Sequence, residues 1–216
     1  MLVTPHLQAY YRFENNGLDS SGKGNHLTAV GATYGDGKVG NGAIYDGVDD
    51  RHDGGNILNL GLDSWFISVW IKPVATSGAL ASIISKSAYA GYSNRYGIWY
   101  ESNALVALFN VGTQIAIPAS NTPLNQWSNI MVNIDRKGLM TLYVNLINKG
   151  TVNISSFSAT NIVSTFPFRI GSYTDGGGVN PAYYFSGQID EVLMYNKTMN
   201  ETDRKRIYCN LHPLNG

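Results

Sequence analysis

Cysteine is almost absent from this chain, which has a single one, Cys209, in 216 residues. One cysteine cannot form an internal disulfide, so the fold does not depend on one. We expect Cys209 to be a small buried apolar residue rather than a reactive thiol. Hydrophobic residues make up 44% of the chain, which is enough for a full core, and we predict one domain over residues 1–216.

An excess of either charge is also missing, since 15 Lys and Arg balance 15 Asp and Glu. Without a basic excess, nucleic acid and anionic membranes are not expected partners. No apolar run reaches the roughly 18 residues of a spanning helix, so we expect no membrane insertion. The first 25 residues lack the basic and apolar segments of a leader. Either a leader and partner domains have been cut away, or the protein reaches the exterior by another route, as a virion component would.

What the sequence does have is glycine and tyrosine, 24 and 14 of them, with only 14% charged residues. This composition is typical of many short strands joined by tight turns. Apolar residues alternate on both sides of residues 64–72, which predicts a central strand covered on both faces. Near the end, Thr198 and Glu201 have capping-box spacing and Lys205 lies further along, which predicts one short helix. The predicted class is all-β with a short C-terminal helix.

Residues 184–195 form the most informative strand, because Asp190 and Glu191 lie inside a largely apolar segment. A carboxylate near a core costs several kcal/mol unless a cation or several N–H groups hold it. A partner for Asp190 or Glu191 is therefore expected. Because adjacent strand residues point to opposite faces, we predict that these two acids cannot form a local catalytic pair.

Five segments carry motifs in one order along the chain. They are residues 9–13 (AYYRF) with 18–26 (LDSSGKGNH), 42–50 (GAIYDGVDD), 66–73 (FISVWIKP), 125–129 (NQWSN) with 142–145 (LYVN), and 168–171 (FRIG) with 185–192 (FSGQIDEV). Together they resemble the laminin G-like branch of the concanavalin A-like lectin and glucanase sandwiches. The resemblance implies a jelly roll of two antiparallel sheets, with the first and last strands close together.

The resemblance also implies a structural calcium (Ca2+) beside the contact between the terminal strands. The family's motifs fall on Asp19, Asn25 and Asp190, with Asp46 nearby in the sequence pattern. Calcium takes about six to eight oxygen ligands, which the carboxylates and the glycine-containing loop could supply. The alternative is that Asp19 and Asn25 are ordinary turn residues and that Asp190 accepts backbone N–H groups.

A zinc site is not expected. The four histidines have no ligand spacing relative to one another and there is no cysteine pair. His52 and Asp53 belong to the polar segment 47–55, which we predict to be a solvated loop.

Catalysis is not expected either. The glucanases of this fold carry a pair of carboxylates on one strand, as in Glu-x-Asp-x-x-Glu. Glu14, Glu101, Glu191 and Glu201 are the four glutamates here, and none has an acidic residue at that spacing on its own strand. A nucleophile elbow and a phosphate-binding glycine loop are also missing. We predict a protein that is not an enzyme, with a glycoside hydrolase of this fold as one alternative.

Two loops, residues 87–95 and 172–182, match none of the motifs and are rich in tyrosine. Aromatic rings stack on the apolar face of a sugar while polar side chains bind its hydroxyls. The candidate ligand-binding residues are Tyr89, Tyr92, Asn94, Arg95, Tyr173, Asp175, Asn180 and Tyr183. The alternative for these tyrosines is ordinary packing, and we expect Trp99 and Tyr100 to fill the core.

The function predicted from these observations is recognition. We expect a lectin-like, carbohydrate-binding or adhesion module, stabilised by calcium and located outside the cell or on a virion surface. Its partner would be a glycan or a cell-surface protein. A second alternative is a virion fibre or decoration protein that binds protein or a host-surface glycan. The sequence leaves the ligand and the oligomeric state open.

Overall fold

The structure is a computed structural model that describes residues 5–74, 80–87, 94–101, 104–120, 122–174 and 180–209. In chain order the strands are β1 (Leu7–Tyr11), β2 (Thr28–Val30), β3 (Thr33–Asp36), β4 (Asn41–Asp46), β5 (Arg51–Gly55), β6 (Trp65–Pro73), β7 (Ala81–Lys86), β8 (Arg95–Glu101), β9 (Ala104–Asn110), β10 (Gln114–Ser120), β11 (Ser128–Ile134), β12 (Leu139–Val144), β13 (Ile147–Asn153), β14 (Phe168–Ile170), β15 (Tyr173–Thr174), β16 (Pro181–Ala182) and β17 (Ser186–Tyr195). A 3-10 turn spans Ser155–Phe157, and the helix α1 spans Glu201–Tyr208.

Two antiparallel sheets enclose the core, which confirms the predicted all-β jelly-roll sandwich. The front sheet has the order β13-β12-β11-β6-β17-β4-β3, and β1 also pairs with β17. The back sheet has the order β10-β9-β8-β7-β14-β5-β2, and β15 and β16 form a separate two-stranded ribbon. Because Leu7 pairs with Tyr195, the first and last strands are neighbours, as the resemblance implies.

Strand β6 is central, as its two apolar faces predict. It lies between β11 and β17, and its inward side chains join the core between the sheets. Its outward Phe66 packs with Tyr195, Met199 and Ile207 in a second cluster on the outer face of the front sheet. This cluster is where α1 covers the sheet, so β6 and β17 at the centre of the front sheet are buried on both sides.

The helix begins later than the capping-box spacing predicts. Asn200 is the N-cap, and its side-chain oxygen accepts from the backbone N–H of Asp203 at 2.9 Å. Glu201 instead pairs with Lys205 one turn along, at 2.6 Å. Asparagine is at least as good an N-cap as threonine, and Asn200 directly precedes Glu201, the first residue of the helix. Cys209, expected to be buried, is exposed at the end of α1.

Strand β17 contains a β-bulge that alternation could not predict. Its register with β6 shifts after Asp190, and Glu191 has a φ of 50°. Asp190 lies opposite Trp70, and Glu191 contacts Tyr10, both of which point outward from the front sheet. The extra residue thus places both carboxylates on one face. The prediction that they point to opposite faces is wrong.

The segment expected to be a solvated loop contains strand β5 instead. His52 is fully buried, with Nδ1 2.9 Å from the Tyr45 hydroxyl and Nε2 2.9 Å from the Tyr34 hydroxyl. Its ring packs against Phe13, with 4.8 Å between ring centroids. Burial lowers the pKa of His52 to about 4. The polar composition of this segment gave no indication of a core position. Histidine can nevertheless be buried when both of its ring nitrogens are hydrogen-bonded.

Candidate functional site

The β15–β16 ribbon lies on the outer face of the back sheet and defines the candidate site. Gly171 directly follows β14, and its carbonyl accepts from the N–H of Phe185, which directly precedes β17. Between these points, the N–H of Ser82 in β7 donates to the Tyr183 carbonyl. Tyr173 and Tyr183 pack with Trp99 of β8 in an apolar cluster separate from the core. The ribbon is therefore fixed to the sheet at both ends.

Tyr173 is the residue that anchors the ribbon. Its hydroxyl receives hydrogen bonds from Ser87 Oγ at 2.9 Å and from Arg95 Nη1 at 3.0 Å. Its ring lies edge-on to Trp99 and to Tyr183, at 5.3 and 6.1 Å between centroids. Burial raises the pKa of Tyr173, and the contacts with Ser87 and Arg95 oppose that rise.

Two buried arginines hold the sheet side of the ribbon. Arg95 also donates from Nη2 to Gln114 Oε1 at 3.1 Å. Arg169 of β14 donates from Nε to Asp53 Oδ1 at 2.5 Å and from Nη1 to Thr174 Oγ1 at 2.9 Å. Charge-assisted bonds of this kind fix geometry more strongly than neutral ones. The guanidinium groups thus position the ribbon.

The structure brings together part of the predicted ligand-binding set. Arg95, Tyr173 and Tyr183 form the contacts described above. Asn94 directly precedes β8 with a φ of 59°, and Asn180 is exposed just before β16. The remaining predicted residues, Tyr89, Tyr92 and Asp175, lie outside the described part of the chain.

Exposure separates the roles of the two tyrosines. Tyr173 is 2% exposed, so its ring has no free face for a sugar. Tyr183 is half-buried, with its ring supported from the side by Tyr173. A supported and partly exposed ring is what stacking on a ligand requires. Tyr183 can stack, while Tyr173 supports it.

The sequence did not predict that several other residues lie on this face of the back sheet. Trp99 was expected in the core, but Tyr100 occupies that side and Trp99 points outward under the ribbon. Strict alternation in β8 was the signal that could have separated them, because neighbours in a strand face opposite ways. Glu101, whose Oε2 accepts from Trp99 Nε1 at 3.2 Å, lies on the same face. Gln114 and Arg169 come from distant strands that no local motif connects.

Asp19 does not fit a calcium ligand in this arrangement. Oδ1 accepts from the N–H groups of Tyr10 and Ser21, and Oδ2 accepts from Ser21 Oγ and the N–H of Asn25, at 2.8 to 3.0 Å. Asn25 donates from Nδ2 to the Gln8 carbonyl at 2.8 Å. Each carboxylate oxygen thus has two donors already, as in a polar turn.

Asp190 is held by backbone N–H groups. Oδ2 accepts from Lys38 and Val39 at 2.8 and 3.0 Å, and Oδ1 accepts from Glu191 at 2.7 Å. Gly37, which begins this loop, has no room for a side chain because a Cβ would lie 2.7 Å from Oδ2. These donors are the partners that the buried carboxylate required. Burial nevertheless raises the pKa of Asp190 to about 7, helped by the nearby Glu191.

Asp46 lies in a different acidic group. Its carboxylate is near those of Asp49 and Asp50, with one oxygen of each within 4.8 Å of the others. Asp46 accepts from the N–H of Val48 at 2.7 Å, and this lowers its pKa. Asp50 is buried, which raises its pKa. Of the predicted ligands, Asp46 therefore has the surroundings that suit a cation best.

The paired carboxylates of β17 are closed off from solvent. Glu191 is 2% exposed, and its Oε2 accepts from the Tyr10 hydroxyl at 2.5 Å. Arg12 Nε lies 4.0 Å from its other oxygen. Burial raises the pKa of Glu191. Although the bulge places Asp190 and Glu191 on one face, they lie beneath protein groups rather than in an open groove.

Comparison with known proteins gives a family match over most of the chain. The profile described as the concanavalin A-like lectin/glucanases superfamily, laminin G type, matches residues 46–203. A search of the curated proteins finds no match. Within the described residues, no helix is both long and apolar enough to cross a membrane.

Solved structures share the fold at low identity. Domain 4 of AbnA, a GH43 extracellular arabinanase from Geobacillus stearothermophilus in complex with arabinotriose, has 18% identity and a TM-score of 0.66, covering 94% of this chain and 98% of its own. The receptor-binding domain of botulinum neurotoxin D has 13% identity and a TM-score of 0.75, with 95% and 52% coverage. The binding domain of Paraclostridial Mosquitocidal Protein 1 has 16% identity and a TM-score of 0.74, with 94% and 52% coverage. The chain spans about half of each toxin domain.

Proposed function

Because this chain belongs to the concanavalin A-like lectin/glucanase superfamily, we propose that it is a non-catalytic module that recognises carbohydrate through the ribbon face of its back sheet. The observation that carries the proposal is the half-buried Tyr183, whose ring is supported from the side by the buried Tyr173. Fold alone does not give function in this superfamily, so the site has to carry the argument.

The rigidity of the ribbon supports this function. Tyr173 is bonded to Ser87 and Arg95, and Arg169 is bonded to Thr174, so the platform is formed before any ligand arrives. A preformed ring loses little conformational entropy when it binds, which favours affinity in a shallow site. In the chain, Asn94 directly precedes Arg95 and Asn180 directly precedes β16, so two amide side chains start beside the residues that form the platform.

A binding role also agrees with the proteins that share the fold. The arabinanase domain was solved with arabinotriose, and the two toxin domains are described as binding domains. We propose that this module likewise acts outside the cell, on a glycan or a glycan-bearing surface protein. The absence of a catalytic role is part of the proposal, because the carboxylates that lie together in β17 are enclosed. The virion-surface alternative stays a prediction from the sequence.

Replacing Tyr183 with alanine should weaken glycan binding by about two- to twelvefold, because one lost stacking ring is worth roughly 0.5 to 1.5 kcal/mol. The test is a glycan array with wild-type protein, followed by calorimetric titration of the best ligand into both proteins. Tyr143→Ala is the matched control, since Tyr143 is a half-buried tyrosine on the front sheet. Equal affinities of wild type and Tyr183→Ala, or equal losses in both variants, would exclude this platform.

We also propose that calcium stabilises the module at Asp46, Asp49 and Asp50, in place of the set centred on Asp19 and Asp190. If so, a chelator should lower Tm by about 5 °C, since saturating ligand adds roughly 2 to 3 kcal/mol. Even without chelator, Asp49→Asn should have the lower Tm of the chelator-treated wild type. Adding chelator should not lower the Tm of this variant further. A melt of the wild type that is unchanged by chelator rules out the metal.

A further inference from the structure

We infer that Arg95 is a positioning residue, which sets the glycan affinity of the ribbon face through Tyr173 and Tyr183 without contacting the glycan itself. This inference rests on the proposed function, because it concerns the same surface. The sequence predicts Arg95 as a ligand contact, but the structure leaves its side chain only 4% exposed. An effect of Arg95 on binding therefore has to act through the residues that it holds.

Arg95 connects the hydroxyl of Tyr173 to two strands of the back sheet. Its guanidinium donates from Nη1 to the Tyr173 hydroxyl at 3.0 Å and from Nη2 to Gln114 Oε1 at 3.1 Å. Arg95 is the first residue of β8, and Gln114 is the first residue of β10 at the edge of the sheet. Because the guanidinium is planar and its donors point in fixed directions, these two bonds fix the position of the Tyr173 hydroxyl relative to both strands.

The ring of Tyr173 is held on the same strand. Arg95, Gly97 and Trp99 alternate along β8 and share its outer face. Gly97 leaves the space that the Trp99 ring occupies, since a Cβ at Gly97 would lie 2.8 Å from Cζ3 of that ring. The Trp99 ring in turn meets the Tyr173 ring edge-on, with 5.3 Å between centroids. Tyr173 is thus fixed at its hydroxyl by Arg95 and at its ring by Trp99.

Tyr183 depends on Tyr173 for the orientation of its ring. Its backbone has a φ of 56°, a left-handed conformation that is unfavourable for tyrosine, and its carbonyl accepts from the N–H of Ser82 at 2.9 Å. With the backbone held in this way, the edge-on contact with Tyr173 restricts the direction in which the Tyr183 ring faces. Loss of the bond to Arg95 would allow both rings more orientations, and ordering them again on a glycan would reduce affinity.

Replacing Tyr173 with phenylalanine tests this, because it removes the hydroxyl that Arg95 holds and keeps the ring. The variant should bind the best glycan from the array about two- to tenfold more weakly than wild type, and no more weakly than Tyr183→Ala. In a double-mutant cycle, adding Tyr173→Phe to Tyr183→Ala should cause no further loss, because the Tyr183 ring that it orients is already absent. Affinities are measured by calorimetric titration well below the Tm of each variant.

Tyr96→Phe is the matched control. Tyr96 follows Arg95 in β8, but its side chain lies in the core and its hydroxyl donates to the Leu58 carbonyl at 2.6 Å. This variant should have a lower Tm and an unchanged glycan affinity. Gln114→Ala, at an exposed position, loosens Arg95 from its other side and serves for the same cycle if Tyr173→Phe does not fold. It should also lose affinity in the presence of Tyr183 and lose none in its absence.

Three results would overturn the inference and leave carbohydrate recognition intact. They are an unchanged affinity of Tyr173→Phe, an equal loss of affinity in Tyr96→Phe, and a loss that persists in the Tyr183→Ala background, which would indicate that Tyr173 or Arg95 contacts the glycan directly. Absence of wild-type binding to every glycan on the array would instead overturn the proposed function itself.

Discussion

Replacing Gly171 with alanine should lower the free energy of unfolding by about 3 to 5 kcal/mol, because the added methyl group meets both backbone strain and a buried ring. Gly171 has a φ of 84°, which a residue with a Cβ adopts only with strain. A Cβ there would also overlap the ring of Tyr45, which is fully buried and bonded to His52. Neither the backbone nor the ring has room to move.

The variant Gly112→Ala separates the cost of backbone strain from the cost of overlap with a neighbouring side chain. Gly112 has a φ of 98°, but no other group lies within 4 Å of the position that its Cβ would take. It should therefore lose only the strain energy, about 1 kcal/mol. Urea denaturation of both variants measures the difference. Because Gly171 is also where the ribbon leaves β14, its variant should lose glycan affinity as well. Equal losses of stability in the two variants would contradict the packing described for Tyr45.

The second large effect is the pH dependence that His52 imposes. Its pKa is lowered from 6.5 to about 4 by burial, so below pH 6.5 the unfolded state takes up a proton that the folded state refuses. The stabilisation is complete above pH 6.5 and is lost as the pH falls towards 4. The difference between a pKa of 6.5 in the unfolded chain and one of about 4 in the folded protein corresponds to roughly 3 kcal/mol of stability.

Asp190 acts with the opposite sign over the same range. Its pKa is raised from 3.8 to about 7, so its contribution is present in acid and is lost as the pH rises towards 7. His52 and Asp190 therefore partly cancel in the pH dependence of wild-type stability. The contribution of His52 has to be measured as the difference in stability between wild type and a variant that lacks it. The stability of wild type relative to His52→Gln should fall by about 3 kcal/mol between pH 6.5 and 4. A difference that does not change with pH would show that His52 is not a buried neutral group.

The fold could be predicted from the sequence because its signals are local and repeated. The apolar residues on both faces of β6 and the order of the motifs both predicted the sandwich, and the structure confirms it. The bulge in β17 could not be predicted, because one extra residue reverses the alternation without altering composition. His52 was misplaced because its burial depends on hydrogen bonds to Tyr34 and Tyr45, which lie on other strands and form no motif with it.

The candidate site was predictable only in part. Tyrosines in unmatched loops pointed to Arg95, Tyr173 and Tyr183, which the structure brings together. What sequence could not show is the division between the buried support and the exposed ring, because that depends on how the ribbon folds over the sheet. The contributions of Gln114 and Arg169 come through strand pairing between segments far apart in the chain.

The most direct test of the account is a map of where a glycan binds. Amide chemical shifts of the isotope-labelled protein, recorded during titration with the best ligand from the array, locate the contact surface. The account predicts that the largest changes cluster at Asn94, Gln114, Asn180 and Tyr183, on the ribbon face of the back sheet. Changes centred on α1 and the outer face of the front sheet, with the ribbon unaffected, would contradict it.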